Sequence, residues 1–286
     1  MNASLSLLEA ILNLLQKKMR DSSSNYYLPD LLKQLDNPNI NPYVVDGDWD
    51  LDNLSGDSIT TGANQICLQA TPDQYYPAQG ISSSPPQIVL SSIQVAGLIN
   101  VLPEKPNVID PDSDAPKVSV VLDFCTILNS GLPTTITVNG NFTLSQSCCI
   151  PNRGSQVCDS SSSKFGTDGE GTFSAVISPA GQNNQLTMNC DSVITVQPDS
   201  SFLVTVNSMI VAIPKTALTI SVTINSAGKG DKKTYEKLAE EALNSDGAKT
   251  QILAQLQEQL SSDTARNQIG TMITNQLNSI LSQAVF

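Results

Sequence analysis

The feature that most limits what this chain can fold into is a strict two-residue alternation near its middle. Ile136, Val138, Gly140, Phe142 and Leu144 alternate with Thr135, Thr137, Asn139, Asn141 and Thr143. Successive strand side chains point to opposite faces, so this run predicts a sheet with one apolar and one polar side. Gly140, at mid-strand, predicts a bend or bulge. Val118, Val120, Leu122 and Phe124 alternate in the same way, as do Phe202, Val204 and Val206, and Leu218, Ile220, Val222 and Ile224. Further strands are expected from about Trp49, at 88–101, at 173–177 and at 186–196. Residues 149–171 read as a polar loop. Gly181-Gln182 and Asp199-Ser200 fall where hairpin turns are needed, and short connections imply an antiparallel meander.

The period changes at both ends. Leu5, Leu8, Leu12, Leu15 and Met19 recur at steps of three and four, one face of a helix, widened by Leu7, Ile11 and Leu14. Leu28, Leu31, Leu32 and Leu35 suggest a short second piece. After 226–230 helical spacing returns in Tyr235, Leu238 and Ala242, then in Ile252, Leu253, Leu256 and Leu260. Asp263 can cap a third helix striped by Ala265, Ile269, Met272, Ile273, Leu277, Ile280, Leu281 and Ala284. Its other face is Asn, Gln, Ser and Thr, expected to be exposed. Strands in the middle with helices segregated at the ends predict an α+β fold. The expected architecture is a highly curved antiparallel β meander wrapped around, or packed on, long N- and C-terminal amphipathic helices. It is expected as one elongated domain over 1–286, with a helical segment at 1–45, a β body at 50–225 and helices at 231–286.

Composition excludes several functions. The chain has no histidine, which removes Ser-His-Asp and Cys-His catalysis, His-ligated zinc and the usual general base near neutral pH. Net charge is −12 with 15 Lys and Arg, and no basic cluster appears, so neither nucleic acid nor anionic lipid is an expected electrostatic partner. The apolar stretch at 5–15 is too short to span a bilayer and lacks a basic leader and cleavage site. It is expected to be neither a transmembrane anchor nor a signal peptide. No phosphate-binding loop or dinucleotide glycine pattern is present, and no cofactor is expected.

Six cysteines, Cys67, Cys125, Cys148, Cys149, Cys158 and Cys190, leave three readings open: structural disulfides, free buried thiols, or a thiolate zinc site that the adjacent Cys148-Cys149 pair fits poorly. Asp46, Asp48, Asp50, Asp52 and Asp57 have the spacing of a calcium loop. Leu51, however, stands where that loop needs Gly, and Asp57 where it needs Glu. Asp110, Asp112 and Asp114 form a second acidic cluster. Asn53-Leu54-Ser55 and Asn141-Phe142-Thr143 match the glycosylation triplet. Acidic pairs are plentiful, but aromatics are 5% of the chain, which disfavours a sugar cleft worked by two carboxylates.

The order of an amphipathic N-terminal helix, the segment Trp49-Asp50-Leu51-Asp52-Asn53-Leu54-Ser55-Gly56, a long bent meander and an apolar-striped final helix resembles the tubular lipid-binding superfamily. That group includes bactericidal/permeability-increasing-like and Takeout-like domains. The resemblance implies a sheet wrapped on a helix around a lipid, with no catalytic residues. Ligand-facing positions would then be Val120, Leu122, Phe124, Val138, Phe142, Val204, Val206, Ile220 and Val222 on the strands. Ile273, Leu277 and Ile280 would face the ligand from the last helix. The expected function is non-catalytic binding of a lipid or other hydrophobic small molecule, with a secreted or extracellular location. The alternative is a protein–protein interaction or assembly component, such as a secreted toxin-accessory or structural protein. It would have a dry core and oligomerise, with itself or others, through apolar helix faces.

Overall fold

Two antiparallel sheets, not one continuous meander, form the β body. The computed structural model describes residues 3–34, 43–71, 80–97, 101–109, 117–125, 135–152, 155, 157–178 and 187–284. In chain order the first elements are α1 (Ala3–Arg20), α2 (Leu28–Gln34), β1 (Tyr43–Val44), β2 (Trp49–Leu51), α3 (Asp57–Ala70), β3 (Ser82–Ser83) and β4 (Gln87–Ala96). Then come β5 (Leu102–Pro103), β6 (Asn107–Ile109), β7 (Lys117–Cys125), β8 (Ile136–Ile150), β9 (Ser163–Ile177), β10 (Thr187–Val196), β11 (Phe202–Ala212) and β12 (Leu218–Ala227). The chain closes with α4 (Lys232–Leu243), α5 (Asp246–Leu260) and α6 (Asp263–Ala284).

A seven-stranded sheet has the order β1-β4-β8-β9-β12, with β2 also on β4 and β3 on β8. A five-stranded sheet has the order β11-β10-β7-β5, with β6 on β7. Every pairing is antiparallel, and the α+β class read from the alternation holds. The alternating run lies in β8, whose inward residues Ile136, Val138, Phe142 and Leu144 are all buried. The irregularity expected at Gly140 is present: β4 shifts register between Ser91 and Gln94, across from Asn141 and Asn139. Gly140 faces Phe173 and Gly171 faces Phe142, so each ring lies over the other strand's glycine. A Cβ on Gly171 would stand 2.2 Å from the Thr223 carbonyl and 2.8 Å from the Phe142 ring.

Three local readings change. Residues 57–70 are helix, not strand, because Ile59, Ala63, Ile66, Cys67 and Ala70 share one buried helical face. The polar loop is shorter than 149–171, since β9 starts at Ser163 and its polar Gly-rich first half pairs with β8. The start of α6 is held by Ser262, whose Oγ accepts from the Ala265 N–H at 3.4 Å, while Asp263 pairs with Arg266. The 181–182 turn, Leu35 and the Asp110, Asp112 and Asp114 cluster lie outside the described residues.

The cysteines resolve into both disulfides and free thiols. Adjacent strand residues point to opposite faces. Cys148 points inward and joins Cys67 of α3, and Cys149 points the other way and joins Cys158. Cys125 and Cys190 are free and buried. Beside the first bridge, Gln146 Nε2 donates to the Ala63 carbonyl at 3.0 Å, and Asn64 Oδ1 accepts from the Ser83 N–H at 2.9 Å. Together these hold α3 to the seven-stranded sheet.

The last three helices are fastened by polar side chains to the backbone of strands and of Asp52, just after β2. Asn244 accepts from the Ile220 N–H at 3.1 Å and donates to its carbonyl at 2.7 Å. Gln251 does the same to Asp52, at 3.0 and 2.9 Å. Asn278 does so to Phe202, at 2.7 and 2.9 Å. Thr274 Oγ1 accepts from the Val204 N–H at 2.8 Å, and Arg266 donates to the Asn207 carbonyl. Four helical residues rise about 6 Å and two strand residues about 6.8 Å, so a polar stripe at every fourth position of α6 tracks β11. Gly270 fits the stripe by letting the two elements touch, since a Cβ there would lie 2.9 Å from the Val204 carbonyl. The polar face of α6 thus covers an otherwise open sheet edge.

Candidate functional site

α6 carries both the polar stripe that grips β11 and an apolar stripe that closes over the five-stranded sheet. Where the second stripe diverges from the sheet it leaves an apolar cavity of about 100 Å³. Phe124 of β7, Met188 of β10, and Met209 and Val211 of β11 form its floor. Ala265, Gln268, Ile269 and Met272 of α6 and Leu260 of α5 form its roof. Leu28, Leu32, Tyr43 and Val101 close one side. Tyr43 Oη donates to the Gln259 carbonyl at 3.5 Å, and its pKa is raised, chiefly by burial. The remaining lining is apolar but for the Gln268 amide. Such a wall can exclude water and contact hydrocarbon, and it offers no nucleophile.

On the other side of Phe124 lies a smaller hollow of about 30 Å³, bordered by Leu12, Leu15 and Met19 of α1, Leu122, Glu104 and Ile273. Four methionines, Met19, Met188, Met209 and Met272, line these two neighbouring spaces. Unbranched thioether side chains repack readily, which makes both walls adaptable. At the rim, the Cys125 thiol donates to Glu104 at 3.0 Å. Burial first, then Glu104, pushes its pKa up to about 12. Burial, then Asp123, does the same to Cys190, also to about 12. Neither thiol ionises near neutral pH, so neither is poised for nucleophilic chemistry.

The expected ligand-facing residues divide. Phe124 borders both spaces, and Leu122 and Ile273 border the smaller one. Val120, Val204 and Val206 on the five-stranded sheet, Val138, Phe142, Ile220 and Val222 on the seven-stranded sheet, and Leu277 and Ile280 on α6 line neither. They are buried in the core. The methionines and the α2 and β1 residues were not picked out by the alternation. Met188, Met209 and Met272 lie on three different elements, two on the floor and one on the roof, so no local sequence pattern gathers them. Asp46, Asp48, Asp50, Asp52 and Asp57 are all exposed, and among the described residues no group of three or more possible ligands converges on a metal position. Among the described residues no helix is long and apolar enough to cross a membrane.

No family model matches the chain, and no curated protein matches it in sequence. Among solved structures it overlays on Takeout 1 of Epiphyas postvittana with a TM-score of 0.27 at 10% identity, over 70% of this chain and 88% of that one. It overlays on lipopolysaccharide binding protein with a TM-score of 0.30 at 14% identity, over 84% of this chain and 41% of that one. The chain therefore spans about two fifths of the second protein's length. Overlays this loose transfer no ligand and no residue role to this chain.

Proposed function

We propose that this chain is a non-catalytic binding protein for a lipid or other hydrophobic ligand, held between the five-stranded sheet and α6. The observation that carries the reading is the apolar cavity of about 100 Å³ with its methionine-rich wall. Pockets that enclose a drug-sized ligand measure roughly 300–1,000 Å³. A ligand therefore enters by one hydrocarbon segment, and the cavity widens as Met188, Met209 and Met272 repack. Phe124 is the residue whose rotation joins the cavity to the hollow under α1, which brings Leu122 and Ile273 into the site. Two disulfides are in keeping with an oxidising compartment and support the reading of a secreted protein. The assembly alternative rests on a charge-poor surface and on apolar helix faces; on α1, Leu8, Ile11, Leu12, Leu15 and Met19 are buried in the chain's own core and Leu14 is exposed. Native mass spectrometry of the purified chain tests the proposal. A bound mass that disappears on denaturation, or uptake of an added hydrocarbon ligand, is expected. A bare mass that takes up no hydrophobic ligand would refute it.

A further inference from the structure

Beside the apolar cavity lies a second space of different chemistry. It is a groove of about 620 Å³, open to solvent, with Thr187, Lys215 and Thr250 among its lining residues. Val211 borders both the groove and the inner cavity. Gln257 of α5 lines the groove and is bonded to that strand. Its Oε1 accepts from the Val211 N–H at 2.6 Å, and its Nε2 donates to the Met209 carbonyl at 3.3 Å. The two spaces therefore meet at one strand segment, whose backbone Gln257 holds from the groove side.

The groove has a charge that the cavity lacks. Among the described residues no charged side chain lines the cavity, and Lys215 is the charged residue of the groove. Lys215 is exposed on a single helical turn at Lys215–Ala217, and among the described residues no ion pair engages its ammonium. Two further hollows have acidic charges among their described lining residues, Asp52 and Asp168 in one and Glu104 and Asp123 in the other. In a chain of net charge −12, a cation in the groove that shares Val211 with the cavity favours an anionic group there.

We propose that the ligand is a single-chain anionic amphiphile, a fatty carboxylate. Its head lies in the groove against Lys215, and its tail passes Gln257 into the inner cavity. This assignment rests on the reading of the inner cavity as the ligand site. One lysine balances one negative charge. A cavity of about 100 Å³ has room for one hydrocarbon segment, which disfavours a two-chain phospholipid. When the Gln257 side chain swings away, the Val211 N–H becomes free to donate to the carboxylate. The ion pair is solvent-exposed and screened, so its contribution is modest.

The test uses the full chain and two ligands that differ only in the head, hexadecanoic acid and hexadecanol, each competing with a fluorescent fatty acid at low salt. Hexadecanoic acid is expected to bind more tightly than hexadecanol. Lys215→Gln should weaken the acid about two- to fivefold and leave the alcohol unchanged. Added salt should reproduce that selective loss. Gln257→Ala should speed entry of both. Equal binding of acid and alcohol, or an equal loss of both in Lys215→Gln, would overturn the anionic head while leaving the apolar site standing. Failure of both ligands to bind the wild-type chain would overturn the site itself.

Discussion

Removing the Cys67–Cys148 disulfide should destabilise the fold more than removing Cys149–Cys158, by an amount set by loop length. The first bridge spans a sequence separation of 81 and the second a separation of 9. In the chain-entropy account, closing loops of those lengths restricts the unfolded state by about 4.5 and about 2.6 kcal/mol. The unfolding entropy of a chain this long is about 0.6 kcal/mol per kelvin. The expected falls in Tm are thus about 7.5 °C for Cys67→Ala/Cys148→Ala and about 4 °C for Cys149→Ala/Cys158→Ala. Cys67 and Cys148 are both fully buried, so lost packing adds to the first value and widens the gap. Trp49, the chain's only tryptophan, is 2% exposed, and its emission reports exposure of the seven-stranded sheet during thermal or urea unfolding. An equal or larger loss from the short-loop pair would refute the reasoning and show that native-state contacts of the bridges, not loop length, set their contribution.

Three further outcomes follow from particular contacts. Gly171→Ala should cost about 3 kcal/mol, the upper end of overpacking penalties, because its Cβ meets a backbone carbonyl. Gly166→Ala, with nothing within 4 Å, should change stability by less than about 0.5 kcal/mol; urea midpoints compare the two. Asn278→Ala removes both bonds to Phe202 and should cost about 1–3 kcal/mol, with hydrogen exchange accelerated at the start of β11. Cys125 and Cys190 have thiol pKa values of about 12, so a thiol reagent should find almost no reactive group in the native chain at pH 8 and two after unfolding. Because folding raises these pKa values, their contribution to stability is intact below about pH 9. It declines as the pH rises toward 12, which alkaline urea titrations would register.

Periodicity carried much of the fold and little of the site. The alternations at β7, β8, β11 and β12 and the helical stripes of α4 to α6 have one dry and one wet face, and simple spacing reveals that. α3 was missed because Thr60, Thr61 and Gly62 stand among its first residues, giving it weak helix propensity, and because tertiary contacts and the Cys67 bridge decide the segment. The division into two sheets was not legible. It depends on β7 pairing with β10 and on β9 pairing with β12, contacts between residues far apart in sequence. The polar residues of α6 look solvent-facing in the sequence, but Arg266, Thr274 and Asn278 bind the backbone of β11. The cavity escaped for a related reason. An apolar stripe has the same pattern whether it meets a packed core, as Val138 and Phe142 do, or an open space, as Met272 does.

The central claim is that the space beneath α6 takes a hydrocarbon ligand, and filling that space tests it most directly. Ala265 lines the cavity and is only partly buried, so Ala265→Trp can occupy the cavity without displacing a packed core residue. Binding of a hydrophobic probe should saturate at one per wild-type chain and weaken at least tenfold in Ala265→Trp, with Tm changed by no more than a few degrees. A folded Ala265→Trp chain that binds the probe as the wild type does would contradict the account.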